Sequence, residues 1–204
     1  MFATLCWSGN FIVGKFAYLF EVPPLTLNFL RWASVWFILL PFTYKNIYNN
    51  LPNIKKNWLV ISFMGVITIS TFNSVVYFAL NYTQVINAVL VLAAIPAVTI
   101  FFSFLLKVEK TNIFQLTGLF LSIIGIGAII SNADIQKITS LSFNKGDLWM
   151  LVCVFTWAIY STLLKKNKFE FSQFSLIQLM VSVGIIFLIP QFFYEKSIGL
   201  EVNF

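Results

Sequence analysis

The chain has no histidine, two cysteines and seven acidic residues among its 204. Each shortage closes a class of chemistry. Without histidine there is no imidazole metal ligand and no imidazole acid or base. Cys6 and Cys153 both fall inside apolar runs, where a small buried thiol is the ordinary reading, and two such residues build no disulfide framework. Glu21, Glu109, Asp134, Asp147, Glu170, Glu195 and Glu201 all fall at the ends of apolar runs or between them. No carboxylate pair, nucleophile–base pair or metal-ligand cluster emerges, so the chain is read as neither an enzyme nor a cofactor protein. Charged residues make up 10% of the chain. An ordinary soluble domain carries about a quarter.

What is present is apolar surface. Hydrophobic residues are 59% of the sequence and the mean hydropathy is +0.88. One soluble core of this size cannot hide that much, so lipid must cover part of it. A spanning helix needs about 20 apolar residues. Seven segments qualify: Phe2–Phe20, Leu25–Tyr44, Trp58–Leu80, Val85–Leu106, Ile113–Ser131, Asp147–Leu164 and Phe174–Phe193. Turn chemistry separates them at Pro23–Pro24, Asn49–Asn50, Pro52–Asn53, Asn81 and Asn144–Gly146. The first run lacks a basic leader and a small-residue cleavage site, and Lys15 interrupts it, so it is read as a retained span. The expected fold is an all-α membrane protein with seven transmembrane helices. Gly118, Ser122 and Gly125 share one face of the fifth segment and predict a close helix contact there.

The net charge of +6 does not point to nucleic acid, because the lysines sit between apolar runs. Lys45, Lys55 and Lys56, then Lys107 and Lys110, then Lys165, Lys166 and Lys168 occupy alternate connections. The loops after the first and third spans carry none; Lys137, Lys145 and Lys196 are the exceptions on that side. The positive-inside rule makes the lysine-rich side and the N-terminus cytoplasmic. The expected location is the plasma (inner) membrane of a bacterium.

A repeat adds a second layer of order. Trp7 precedes Lys15 by eight residues, and Trp157 precedes Lys165 by eight. Pro41 ends the second span and Pro190 ends the seventh, with sequence offsets of 150 for the tryptophans and 149 for the prolines. The first two spans therefore recur as the sixth and seventh. Five is odd, so the second copy crosses the membrane upside down, which is the usual architecture of secondary transporters.

The stretches WSGNFIVGK, PPLTLNFLRW, YFALNYTQVINAVLVLAAIPAVTIFFSFLLKVEK, GLFLSIIGIGAII and GDLWMLVCVFTWAIYSTLLKK follow one another across nearly the whole chain. In order and spacing they resemble the EamA family of the drug/metabolite transporter superfamily. The resemblance implies a ten-helix bundle of two inverted five-helix repeats that moves small metabolites such as amino acids. Residues 1–131 correspond to the first repeat, 132–146 to a connecting loop, 147–193 to the first two helices of the second repeat and 194–204 to a tail. The last three helices of the family pattern have no counterpart here. The chain is read as a fragment of such a carrier; the alternatives are a short form completed by a partner or homodimer, and a non-transporting subunit. Glu109 resembles the acidic residue that closes the fourth helix in the family.

Few groups within the spans carry charge, and each is costly there. Arg31 is a candidate for binding an anionic substrate group through paired hydrogen bonds, or else for pairing inside the bundle. Lys15 either shares that role or snorkels to the headgroups. Ser70, Asn73, Ser74 and Tyr77 have helical spacing and are expected on one face of the third span, lining a polar cavity or bonding to neighbouring helices. Asn10, Asn28, Asn87, Ser175, Gln178 and Ser182 offer the same two readings. Trp157 and Tyr160 are candidate cavity walls, with Trp7 the repeat mate of Trp157. Pro96 should kink the fourth span and can serve as a hinge. The partners implied are the bilayer and a small-molecule substrate. Any proton coupling falls to Lys15, an interfacial acid such as Glu21, or helices outside the chain. A retinal protein is a poor alternative, since no lysine lies between Phe174 and Phe193.

Overall fold

The computed structural model describes residues 2–108, 112–130 and 145–197. Glu109, the 132–144 part of the connecting loop, the Ser122 side chain and the last seven residues lie outside that description. The described residues form seven helical rods: α1 (Phe2–Leu19), α2 (Pro24–Asn49), α3 (Leu51–Ala79), α4 (Val85–Leu105), α5 (Ile113–Ile130), α6 (Lys145–Lys166) and α7 (Gln173–Ser197). Five of them, α2, α3, α4, α6 and α7, are long and apolar enough to cross a membrane. Helix α1 is 18 residues long and carries Asn10 and Lys15.

The helix starts follow local chemistry. Pro24 and Pro52 sit in the first turns of α2 and α3, where a missing N–H costs nothing. The expected loop between the second and third spans is far shorter than its composition suggests. Helix α2 runs to Asn49 and α3 starts at Leu51, so Asn50 alone joins them. Helix α4 is broken into Val85–Leu92 and Ile95–Leu105 by turns at Ala93–Ala94. Pro96 follows the break: it cannot donate back to Leu92, and its ring crowds that carbonyl.

Helix α3 is not regular. Val66–Phe72 is a π-helical stretch inside it, whose wider turn shifts the face presented by every later residue. The expected single stripe is therefore divided. Ser70 and Ser74 turn to one side of α3, and Asn73 turns to the other.

Packing centres on α3, α6 and α7. Phe11, Phe72, Val76, Leu80, Met150 and Cys153 join α1, α3 and α6, while Ile61, Met64, Leu176, Met180 and Val181 join α3 to α7. Helix α7 runs antiparallel along α2: Thr26 meets Glu195, Phe29 stacks on Phe192 at 4.9 Å, Trp36 bonds Ser182, and Asn46 bonds Ser175. Helices α3 and α7 cross closely because Gly65 lies against the Met180 backbone and Gly184 against Ile69. The close approach expected at Gly118 and Gly125 is not found among the described residues; Gly118 is exposed, and a Cβ at either would meet nothing within 4 Å. Phe37, Phe42 and Phe114 point outward and are exposed, as lipid-facing side chains must be.

Candidate functional site

Helix α2 presents Asn28, Arg31 and Trp32 at helical spacing toward the bundle. Asn28 is fully buried and donates to the Ile69 carbonyl at 3.0 Å and to Ser74 Oγ at 2.9 Å. It fastens α2 to the π-helical stretch, where the altered ladder leaves carbonyls available. Arg31, one turn on, reaches between α1 and α3. Its Nη1 donates to Asn10 Oδ1 and to the Tyr77 hydroxyl, and Tyr77 in turn donates to Asn10 Oδ1 at 2.6 Å. The guanidinium carbon lies 4.8 Å from the Trp32 ring centre and 5.9 Å from that of Tyr77.

All of these partners are neutral. Among the described residues no carboxylate pairs with Arg31, and its other N–H groups have no hydrogen-bond partner. A guanidinium offers five donors, so most of its capacity is unspent. It lines a cavity of about 250 Å³ together with Trp32, Thr68, Asn73, Trp157, Tyr160 and Met180. Asn73 is held there by donating to the Thr68 carbonyl at 2.8 Å, and Thr68 by donating to Met64. Trp157 is the hub of the aromatic wall. It contacts Phe72 at 4.7 Å, Tyr160 at 5.4 Å and Trp7 at 5.5 Å.

The structure thus brings Arg31, Asn73, Trp157 and Tyr160 to one cavity, with Asn10 and Tyr77 behind the guanidinium. The other candidates lie elsewhere. Lys15 donates to the Leu80 and Thr83 carbonyls at 2.8 and 3.3 Å, closing the end of α3 with a favourably placed positive charge. Gln178 is buried against α2, donating to the Trp36 carbonyl. Ser182 accepts from the Trp36 indole, Ser175 is tied to Asn46, and Asn87 is exposed. Pro96 lines an apolar cavity of about 420 Å³ that shares Trp7 and Trp157 with the first, so the two tryptophans form the partition between them. Ser70 accepts from Gln191 and lines a third cavity of about 500 Å³ at the end of the bundle. Sequence reasoning missed Thr68 and Trp32 as lining residues. Nothing in a regular 3.6-residue period would have placed Thr68 beside Asn73.

A profile of the EamA-like transporter family matches residues 1–131, which is most of the chain. The chain belongs to the EamA-like transporter family. Among curated proteins, this EamA-like chain is 30% identical over 186 residues to an uncharacterized transporter of Archaeoglobus fulgidus, covering 91% of this chain and 63% of that protein. It is 27% identical over 170 residues to the uncharacterized transporter YyaM of Bacillus subtilis, covering 83% of this chain and 55% of YyaM. The EamA-like chain thus spans between about half and two-thirds of the length of these relatives. No solved structure matches it significantly. Membership and the five apolar rods together make it an integral membrane protein of a transporter family.

Proposed function

We propose that the chain belongs to a carrier that moves small polar metabolites, amino acids or similar solutes, by alternating access. The observation that carries this reading is Arg31: a guanidinium lining a cavity between spanning helices, held by neutral groups and keeping unengaged donors. Such a group attracts a carboxylate. Asn73 and Tyr160 then supply polar contacts, and the Trp157 face supplies stacking surface.

Two inverted five-helix repeats would provide the motion, the first in residues 1–131 and the second opening with 147–193. Two contacts support this. A two-fold axis in the membrane plane must pass where a residue meets its own repeat mate, and Trp7 touches Trp157. Under the same relation α2 and α7 are mates, and they pack antiparallel along their length. Rocking one repeat against the other would open the cavity to alternate sides, with the break before Pro96 as a hinge in α4. The N-terminus is assigned to the cytoplasmic side of a bacterial plasma membrane.

Counterflow uptake of labelled amino acids by the full-length carrier in proteoliposomes tests the site. Arg31→Ala should weaken substrate affinity about 10- to 100-fold, the size of a charge-assisted pair of hydrogen bonds. Asn73→Ala should weaken it several-fold. Transport untouched by both substitutions would remove the site.

A further inference from the structure

Glu195 stands near the C-terminal end of α7, where sequence position suggests a solvated tail. It is instead only 4% exposed. Its carboxylate reaches the start of α2. Oε1 accepts from the Leu25 N–H at 3.0 Å, and Oε2 accepts from the Thr26 N–H at 2.7 Å and the Thr26 hydroxyl at 2.9 Å. Part of this is helix capping, since α2 has no capping side chain of its own. Capping does not use the group up. A helix N-terminus carries only about half a positive charge. A carboxylate offers about four lone-pair sites, and here three are filled. Oε1 keeps an acceptor position, and roughly half of the negative charge is uncompensated.

Glu195 lines the cavity of about 500 Å³ at that end of the bundle. No lysine or arginine is among the residues lining it. The other polar groups in the wall also offer oxygen. Gln191 donates its amide N–H to Ser70 Oγ at 3.0 Å, which leaves its carbonyl oxygen without a donor among the described residues, and the Asn81 side chain has no hydrogen-bond partner among them. The rest of the wall is aromatic: Phe78 and Trp149 meet edge to face at 5.5 Å, and Tyr194 stands beside Glu195. Aromatic faces attract cations and do nothing for anions. The cavity is therefore the electrostatic opposite of the Arg31 site, from which it is separated by α3. On its side α3 shows Ser70, Thr71 and Ser74; on the Arg31 side it shows Thr68, Ile69 and Asn73.

We propose that this cavity is a second ligand site, distinct from the Arg31 cavity, that takes an organic ammonium ion. The carboxylate of Glu195 receives one ammonium N–H on Oε1, Gln191 and Asn81 take others, and Phe78, Trp149 and Tyr194 hold the organic part. A hydrated metal ion would use the oxygens but leave the aromatic wall idle. A space of this volume between rings suits a compact aryl or alkyl amine.

The probes are benzylammonium, its neutral relative benzyl alcohol and its anionic relative benzoate. Calorimetric titration of the full chain in phosphatidylcholine nanodiscs, whose zwitterionic surface does not collect cations, measures binding. Benzylammonium should bind saturably and at least tenfold tighter than benzyl alcohol, and benzoate should not displace it. Glu195→Gln should weaken benzylammonium at least tenfold while leaving benzyl alcohol unchanged. Because that change also touches the start of α2, Thr71→Phe serves as a second variant. It fills the cavity from α3 without altering the carboxylate and should abolish benzylammonium binding. Equal affinity for benzylammonium and benzyl alcohol, displacement by benzoate, or undiminished binding in Thr71→Phe would each overturn the proposal.

Discussion

One methyl group added at Gly65 would test the helix crossing on which the Arg31 cavity rests. A Cβ built at Gly65 comes within 2.6 Å of the Met180 carbonyl oxygen, 3.1 Å of its Cα and 3.2 Å of its carbonyl carbon. All three are backbone atoms, so no rotamer change can relieve them. Recovering an ordinary contact of about 3.5 Å requires α3 and α7 to part by roughly 1 Å. Overpacking of this kind costs about 1–3 kcal/mol. The same crossing contributes Thr68 and Ile69 from α3, and Ile177 and Met180 from α7, to the cavity wall. Gly65→Ala should therefore lower stability and loosen the site together.

Equilibrium unfolding in mixed detergent micelles, followed by circular dichroism, would give the stability change. Gly184→Ala should cost a similar amount, because its Cβ would lie 2.4 Å from both Cβ and Cγ2 of Ile69. Ile69→Ala removes Cγ2 and keeps Cβ, so it should restore part of the loss at Gly184 and none at Gly65. The control is Gly118→Ala, on an exposed face with open space at the Cβ position. It should be neutral, or stabilising by up to about 1 kcal/mol through helix propensity. Equal losses at Gly65 and Gly118, or no loss at Gly65, would refute the close crossing.

Lys15→Met should cost about 1 kcal/mol by removing a cation from the end of α3, and amide exchange at residues 81–83 should quicken. Substrate affinity should hold, since Lys15 bonds Leu80 and Thr83 and does not line the Arg31 cavity. For orientation, a cysteine placed at Asn50, the single junction between α2 and α3, should react with a membrane-impermeant maleimide only when the cytoplasmic face is accessible. Labelling in intact cells would reverse the assignment.

Much of this was legible because bilayer physics writes itself into sequence in a simple form. Apolar runs of spanning length gave the helices, and their ends were accurate where proline or asparagine marks a turn. The α2–α3 junction was misjudged for a physical reason. Lys45, Asn46, Lys55 and Lys56 are polar enough for a loop yet are compatible with helix, so the rods continue into the interface until Asn50 breaks them. Arg31, Asn73, Trp157 and Tyr160 were found because charge, amide and aromatic groups are conspicuous against an apolar background. The division of Ser70 from Asn73 was hidden, since a fixed 3.6-residue period was assumed across a stretch that departs from it. Glu195 was hidden differently. Its burial depends on the start of α2, 169 positions earlier in the chain, and nothing local reports that meeting. Lys15 is a similar case, because its partners are carbonyl oxygens, which no side-chain pattern encodes.

The π-helical stretch at Val66–Phe72 has a consequence for how such a protein changes over generations. A wider turn absorbs one more residue than a regular helix, and one residue in an α-helix is worth about 100° of rotation. Losing a single codon in this stretch would leave the helix continuous and just as apolar, still long enough to span the bilayer. It would swing everything from Asn73 to Ala79 by more than a quarter turn. Tyr77 would leave Arg31, and the hydroxyl set of one cavity would be dealt to the other. Within this segment, length variation by one residue acts as a selector of which chemistry faces which chamber, while substitutions only adjust it.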